Sequence, residues 1–526
     1  MGLKSSFAGG LAILLAAGSF GGAMGASRPA GGVAATNSWR FTKSMPAGGL
    51  PQRARWDVDH RFDVPEKGGI AFDFSCANIE ACQRFTFHAR RGGLWVPLRI
   101  EPEVASGETQ HVFAARSDWS LKDLPGGKLD DWNGFDGFRL SAWRAMGEAF
   151  DLECTISNFA VVTGHVEELL SPAVIKKPPP RPGERRLAWC HRAWGMSEKT
   201  TWDGTIRNLK KCGFTDVVPN MCRPGGAYYS SKVLPVMPYV AEHGDQLEAC
   251  LAACRKYGVK CHVWKVCWNV GKQSFKHVEG FVEKMRAEGR LGVTDGGKEL
   301  NWLCPSHPAN RQAEIDSMLE LAAKGVDGIH FDFIRYNWMD VCFCARCKAE
   351  FEKRYGAPVD WDAAMKFDLD AGGLDIRRKW TDFRCENITA VVREVSKRVR
   401  KEYPTVEISA AVFAVTGEPT RTSVAQDWGL WCREKYVDFV CPMDYIDSLS
   451  LYRRTIERQK AYAAGVKCYP GIGISVMKVS PRGNINAKAV RAADQVAALR
   501  EAGFGGFTVF DYTPPTAKVL DVLFGR

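Results

Sequence analysis

The chain has 526 residues, 45% hydrophobic and 25% charged, and a formal net charge of +11. That length gives room for two or three domains with ample core, and the composition is that of a globular protein. The positive charge is spread out, with no long Lys/Arg block and no aromatic–basic alternation, which argues against a nucleic-acid partner.

In chain order, the first element is a targeting segment. Lys4 supplies a positive start, Leu11 to Phe20 form a short apolar run, and Ala23-Met-Gly-Ala26 offers small residues for cleavage. Residues 1–26 are therefore expected to be a signal peptide, and the mature chain to be exported, periplasmic or secreted. No later stretch reaches the roughly 20 apolar residues of a membrane span.

From about Asn37 to Gly164 the pattern is one of short strands. In Arg55 to Val64, Trp56, Val58, His60, Phe62 and Val64 alternate with charged residues. Further runs at Gly69–Cys76, Arg84–Ala89, Leu94–Glu101, His111–Ala115, Gly137–Trp143 and Phe150–Val162 predict an all-β sandwich over residues 37–165. The segment resembles the jelly-roll accessory modules attached to many glycoside hydrolases. Trp119, Trp132 and Trp143 are its candidates for stacking on sugar rings, against the plainer reading that they are core. A proline-rich stretch, residues 171–186, reads as a semi-rigid linker.

From Leu187 to the end, strand and helix patterns alternate. Eight strands are expected, at Leu187–His191, Asp216–Asn220, Lys260–Cys267, Gly328–Ile334, Glu407–Val415, Asp438–Asp444, Lys467–Ile474 and Gly506–Asp511. Amphipathic stretches lie between them, several closed by glycine, as at Gly213, Gly258 and Gly325. This spacing predicts a (β/α)8 barrel over residues 187–526, with long inserts after the third and fourth strands.

Chemistry in such a barrel is done at the C-terminal ends of the strands. Those ends carry His191, Asn220, Trp264 and Lys265, then His330, Asp332, Arg335 and Tyr336, then Asp444 with Tyr445, and finally Asp511. Aromatic faces suit the C–H surfaces of sugars, while acids and amides suit their hydroxyls. Each residue alone has a structural alternative: Trp264 as core, Lys265 solvated, His191 satisfied inside the barrel, Asp511 as a helix cap. A carbohydrate substrate follows from their common position. Two carboxylates at one rim suggest glycosidic hydrolysis, one attacking the sugar or activating water and the other protonating the leaving oxygen. Asp332 is the expected nucleophile or base, because nearby Arg335 favours its ionised form. Asp444 is the expected acid, with Asp511 as its substitute. No cofactor and no catalytic metal are expected.

The 18 cysteines run from Cys76 to Cys468. Cys190, Cys250, Cys254, Cys261, Cys267 and Cys441 fall within apparent strands or helices and read as small hydrophobes. Cys342, Cys344 and Cys347 are closely spaced, and either hold zinc with a fourth ligand from elsewhere or form a disulfide. Both readings make them a staple for the loop after Asp332.

Three motifs carry a family resemblance: Trp302-Leu-Cys-Pro-Ser-His-Pro308, Val326-Asp-Gly-Ile-His-Phe-Asp-Phe-Ile-Arg-Tyr336 and Val440-Cys-Pro-Met-Asp-Tyr445. Over residues 185–526 the chain resembles the glycosyl hydrolase-like 10 family, within the α-galactosidase-type barrel superfamily. The resemblance implies a nucleophilic Asp on strand four and a proton donor on strand six, which map to Asp332 and Asp444. The three-cysteine loop lies outside that pattern. Two other readings stay open: a non-catalytic carbohydrate-binding barrel, and a metal-dependent hydrolase or deacetylase around His191, His330 and Asp332.

Overall fold

The computed structural model describes residues 37–46, 52–100, 106–121, 124, 127–144, 149–163, 175–190, 201–271, 277–356, 358–361, 371–479 and 483–525. The expected signal peptide, residues 164–174 before the barrel, and His191 lie outside them. By internal contacts the chain forms two compact units. One is Met1–Lys176 with Ile446–Tyr452 and Lys478–Arg491; the other is Lys177–Tyr445 with Arg453–Met477 and Ala492–Arg526.

Among its described residues the first unit contains eight antiparallel strands: β1 (Asn37–Met45), β2 (Gln52–Phe62), β3 (Gly68–Cys76), β4 (Cys82–Arg91), β5 (Leu94–Ile100), β6 (Thr109–Ala115), β7 (Phe135–Arg144) and β8 (Phe150–Thr163). They make two four-stranded sheets, ordered β1-β8-β3-β6 and β2-β7-β4-β5. Alternation in each strand sends one set of side chains inward, so Phe72, Phe74, Phe85, Phe87 and Phe138 from both sheets share one core. Phe87 stacks on Phe138 with ring centroids 4.7 Å apart. Trp119 and Trp132 are buried in this core, edge to face with each other. They are not free to stack on sugars, whereas Trp143 is half-buried beneath the Arg53 guanidinium.

The second unit is built on a largely parallel sheet. Its strands are β9 (Arg185–Cys190), β10 (Asp216–Arg223), β11 (Gly226–Ala227), β12 (Lys260–Val266), β13 (Leu291–Val293), β14 (Glu299–Leu303), β15 (Gly328–Asp332), β16 (Glu407–Phe413), β17 (Phe439–Met443), β18 (Lys467–Cys468), β19 (Gly471–Ile472) and β20 (Gly506–Val509). The order is β18-β17-β16-β15-β12-β10-β9-β20-β19, with β11 paired to β10 and β13–β14 a separate hairpin. β18 and β19 are two halves of the seventh barrel strand. Its first half pairs with β17 and its second with β20. Between them, Tyr469 N–H donates to Val440 O and Thr508 N–H donates to Pro470 O. The sheet thereby closes into an eight-stranded barrel.

The strands are buried on both faces, as expected where helices cover the outside. Helix starts are marked chemically: Thr201 Oγ1 accepts from Gly204 N–H, and Asp245 accepts from Glu248 N–H. Gly258 closes the helix Gln246–Tyr257 in the left-handed region at φ 61°.

The N-terminal end of the barrel is plugged by charge. Arg185 pairs with Asp216 and Glu407 at 2.7 Å each, and His262 Nε2 lies 2.9 Å from Asp216. Burial opposes the Asp216 charge, but His262 and Arg185 outweigh it and hold the carboxyl well below its usual range. Gly328 is required here, since a Cβ would lie 2.1 Å from His262 Nδ1. Above this plug, Trp189 Nε1 donates to His330 Nε2 at 3.1 Å, and His330 Nδ1 meets Ser409 Oγ at 2.9 Å. Ser409 Oγ in turn donates to Ile329 O, so the chain of bonds defines a neutral His330 protonated on Nδ1.

Candidate active site

Gly328, His330 and Asp332 occupy one face of β15, and Asp332 is its last residue, in register with Val266 of β12. The backbone then turns sharply: Phe333 has φ 54°, and its N–H donates to Asp332 Oδ1 at 2.6 Å. A bulky side chain at positive φ is strained, and such strain persists only where the surroundings impose it. Asp332 is 6% exposed. Burial is the largest influence and lifts its carboxyl to about 6; the Phe333 N–H, Arg335, the Trp264 indole and Arg223 act in the opposite direction. Arg335 thus favours the ionised form, as the sequence suggests, but burial wins. The two are not ion-paired. Arg335 Nη1 donates to Tyr336 O and Asn337 O, while its guanidinium lies over the rings of Trp302, Phe333 and Phe413 at 5.3, 4.9 and 5.1 Å.

Neighbouring strand ends add to this rim. Asn220 of β10 is in register with Trp264, and its Nδ2 is buried with no hydrogen-bond partner among the described residues. Beyond a register shift, β10 ends on Arg223, which is 9% exposed and whose Nε is also without a partner there. Burial works against the Arg223 charge, and Asp332 is one of the groups that partly restore it. Tyr445 packs on Phe510 with centroids 4.6 Å apart. Burial, then the charges of Asp332, Asp511 and Asp444, push its hydroxyl well above the usual phenol range. Asp511 lies just past β20, and its N–H donates to Ser475 Oγ at 3.1 Å. Asp332, Asn220, Arg223, Arg335, Tyr445 and Asp511 therefore gather at the C-terminal end of the barrel.

Other residues expected at the site face elsewhere. Lys265 follows Trp264 on β12 and points to the opposite face, where its ammonium is buried against Glu314 of the helix Pro308–Ala322. Burial opposes that charge and Glu314 restores it, leaving the Lys265 pKa raised. His330 is sealed inside the barrel, and burial and then His262 depress it to about 3. Tyr336 is buried, its hydroxyl accepting from Asn387 Nδ2 at 3.1 Å. Trp264 is the exception: it is part of the barrel core, yet its indole is directed toward Asp332.

Asp444 is the sharpest departure. β17 turns Phe439 and Cys441 into the barrel core, and Asp444 faces the surrounding helices, where Gln459 Nε2 donates to Oδ1 at 2.6 Å. The residue is 0% exposed, and Oδ2 has no partner among the described residues. Burial, weakly opposed by Gln459, lifts the carboxyl to about 8. It keeps its proton at neutral pH, as a general acid must, but a substrate cannot touch it in this conformation.

Sequence reasoning missed Arg223 and the aromatic cage of Trp302, Phe333 and Phe413. Arg223 sits where Cys-Arg-Pro-Gly-Gly reads as a turn, whereas the strand continues to it. A cavity of about 680 Å³ in the same unit is lined by Pro224, Phe281, Leu303 and Ala313, and does not include Asp332.

Among solved structures, the chain is similar to the PgaB (BpsB) glycoside hydrolase domain from Bordetella bronchiseptica. The identity is 14% and the TM-score 0.50, over 65% of this chain and 99% of that one. It also matches the β-galactosidase from Bacillus circulans sp. alkalophilus, at 12% identity and TM-score 0.47, over 65% of this chain and 55% of that one. The α-L-fucosidase isoenzyme 2 from Paenibacillus thiaminolyticus matches at 13% and 0.43, over 65% and 49%. No curated protein sequence matches significantly. At these identities the first similarity is one of fold. The model of the family described as glycosyl hydrolase-like 10 matches residues 186–484, more than half of the sequence, and the chain belongs to that family.

Proposed function

We propose that the chain hydrolyses a glycosidic bond in an oligo- or polysaccharide. Asp332 acts as nucleophile or general base, and a second carboxyl of the same rim donates the proton. The observation that carries this is Asp332 itself: a carboxylate ending the fourth barrel strand, lifted to about 6 by burial and set among Arg223, Arg335 and aromatic faces. Such a group is mostly ionised at neutral pH yet basic enough to work there. For the donor, accessibility favours Asp511 over Asp444, which is protonated but closed off. Asn220 and Tyr445 would bind sugar hydroxyls and a ring face. The positively charged, apolar N-terminus supports export, which suits an enzyme meeting polymers outside the cytoplasm.

The test is a glycan-panel hydrolysis assay with reducing-end detection, comparing wild type with Asp332→Asn, Asp511→Asn and Asp444→Asn. Wild-type turnover that falls by at least about 10³-fold in Asp332→Asn supports the assignment. Equal turnover in the two overturns it. Glycan binding without turnover in any protein would make this a carbohydrate-binding barrel.

A further inference from the structure

Four thiols meet beside the fourth-strand loop. Cys304, Cys342, Cys344 and Cys347 have sulfur atoms that all lie within 4.8 Å of one another. Cys304 Sγ is 3.4 Å from Cys347 Sγ and 3.8 Å from Cys344 Sγ. Zinc held at about 2.3 Å by four thiolates in a tetrahedron sets its sulfurs about 3.8 Å apart, so the spacing is that of a ligand cage. The sequence alone shows only Cys-x-Cys-x-x-Cys. Folding brings in Cys304 as the fourth member.

The four come from two segments, Cys304 after β14 and the run Cys342–Cys347, each held by its own backbone bonds. Cys304 follows β14; its N–H donates to Arg290 O, and its carbonyl accepts from Asn310 Nδ2. Cys342 is drawn to β13, where Phe343 N–H donates to Val293 O and Val293 N–H to Cys342 Sγ. Cys344 caps the start of the helix Ala345–Tyr355, and Cys347 lies in its first turn. That placement turns the positive end of the helix toward the sulfurs, which favours thiolates. Ser306 Oγ lies 3.2 Å from Cys304 Sγ and 2.9 Å from Cys347 Sγ, in position to donate to a charged sulfur. Three of the four cysteines are buried and no other ligand atom is needed, which describes a closed structural site.

We propose that these four cysteines bind one zinc ion, which ties the loop after Asp332 to the β13–β14 hairpin. The same loop is pinned from its other side by Arg384, whose Nη1 donates to the carbonyls of Trp338, Met339 and Val341. The metal thus fixes the C-terminal part of the loop that begins at Arg335. A second cluster, Cys250, Cys254 and Cys261, offers only three sulfurs and serves as the control.

The full mature chain, purified without a metal-affinity step, should carry one zinc per molecule by elemental analysis. An organomercurial should release it into a chromogenic chelator. Replacement by Co(II) should give thiolate-to-cobalt charge transfer in the near ultraviolet. Cys344→Ser, at the least buried ligand, should weaken zinc retention by more than about tenfold, while Cys254→Ser keeps it. Wild-type protein without zinc, in which mass spectrometry finds the four residues disulfide-bonded or freely alkylated, would overturn the proposal. So would zinc that survives Cys344→Ser and leaves in Cys254→Ser.

Discussion

Gln459 Nε2 donates to Asp444 Oδ1 at 2.6 Å and, from the same nitrogen, to Ala414 O at 2.8 Å. One glutamine on the helix Leu449–Tyr462 thus joins the ends of the fifth and sixth barrel strands through a carboxyl that burial keeps protonated to about pH 8.

That pair has a pH signature. Asp444 holds its proton to about 8 when folded and releases it near 4 when unfolded. Between those limits the folded state binds more protons, so its stability falls as pH rises and levels off above 8. Asp444→Asn mimics the protonated acid and removes this dependence. In urea titrations its stability should fall less steeply than that of wild type between pH 4 and 8, by up to about 1.4 kcal/mol per pH unit. Parallel slopes would show that Asp444 is ionised in the native protein.

Asp332 should set the acidic limb of activity. Because the ionised form is the working one, kcat/KM should rise with pH through about 6. Arg223 favours the ionised carboxylate, so Arg223→Gln should move the limb to higher pH. An unmoved limb would place Arg223 out of electrostatic reach of Asp332.

Lys265 and Glu314 should behave as a buried structural pair. Lys265→Met leaves Glu314 uncompensated, at a cost of about 3–5 kcal/mol in denaturant unfolding. The double variant with Glu314→Gln should recover much of that loss. A Lys265→Met protein of normal stability but impaired glycan binding would return Lys265 to the site.

Gly328→Ala should damage the barrel without touching the rim. Its Cβ would displace the His262 ring and disturb the Arg185–Asp216–Glu407 network, at a cost of about 1–3 kcal/mol. Combining it with His262→Ala removes the contact with the ring and leaves the 2.9 Å approach to Glu407 O, so the two losses should be less than additive in a double-mutant cycle.

By itself the sequence determined the layout. Apolar runs buried on both faces, spaced by amphipathic stretches with glycine stops, announced eight parallel strands, and observed strand starts fall within two residues of those expected. Period-two alternation announced the sandwich, and the end of β15 announced Asp332. The same alternation also separates Lys265 from Trp264, because adjacent residues on a strand face opposite ways. Only the tertiary structure decided what happens where strands stop. There the backbone leaves the regular pleat, at the register shift before Cys222 and the positive φ of Phe333, and side-chain direction no longer follows from position in the chain. Arg223 turned toward Asp332, Asp444 toward Gln459, and Cys304 toward three distant cysteines because packing between elements set those directions. No local pattern encodes such contacts, and the pKa of about 6 at Asp332 arises from the burial that they create.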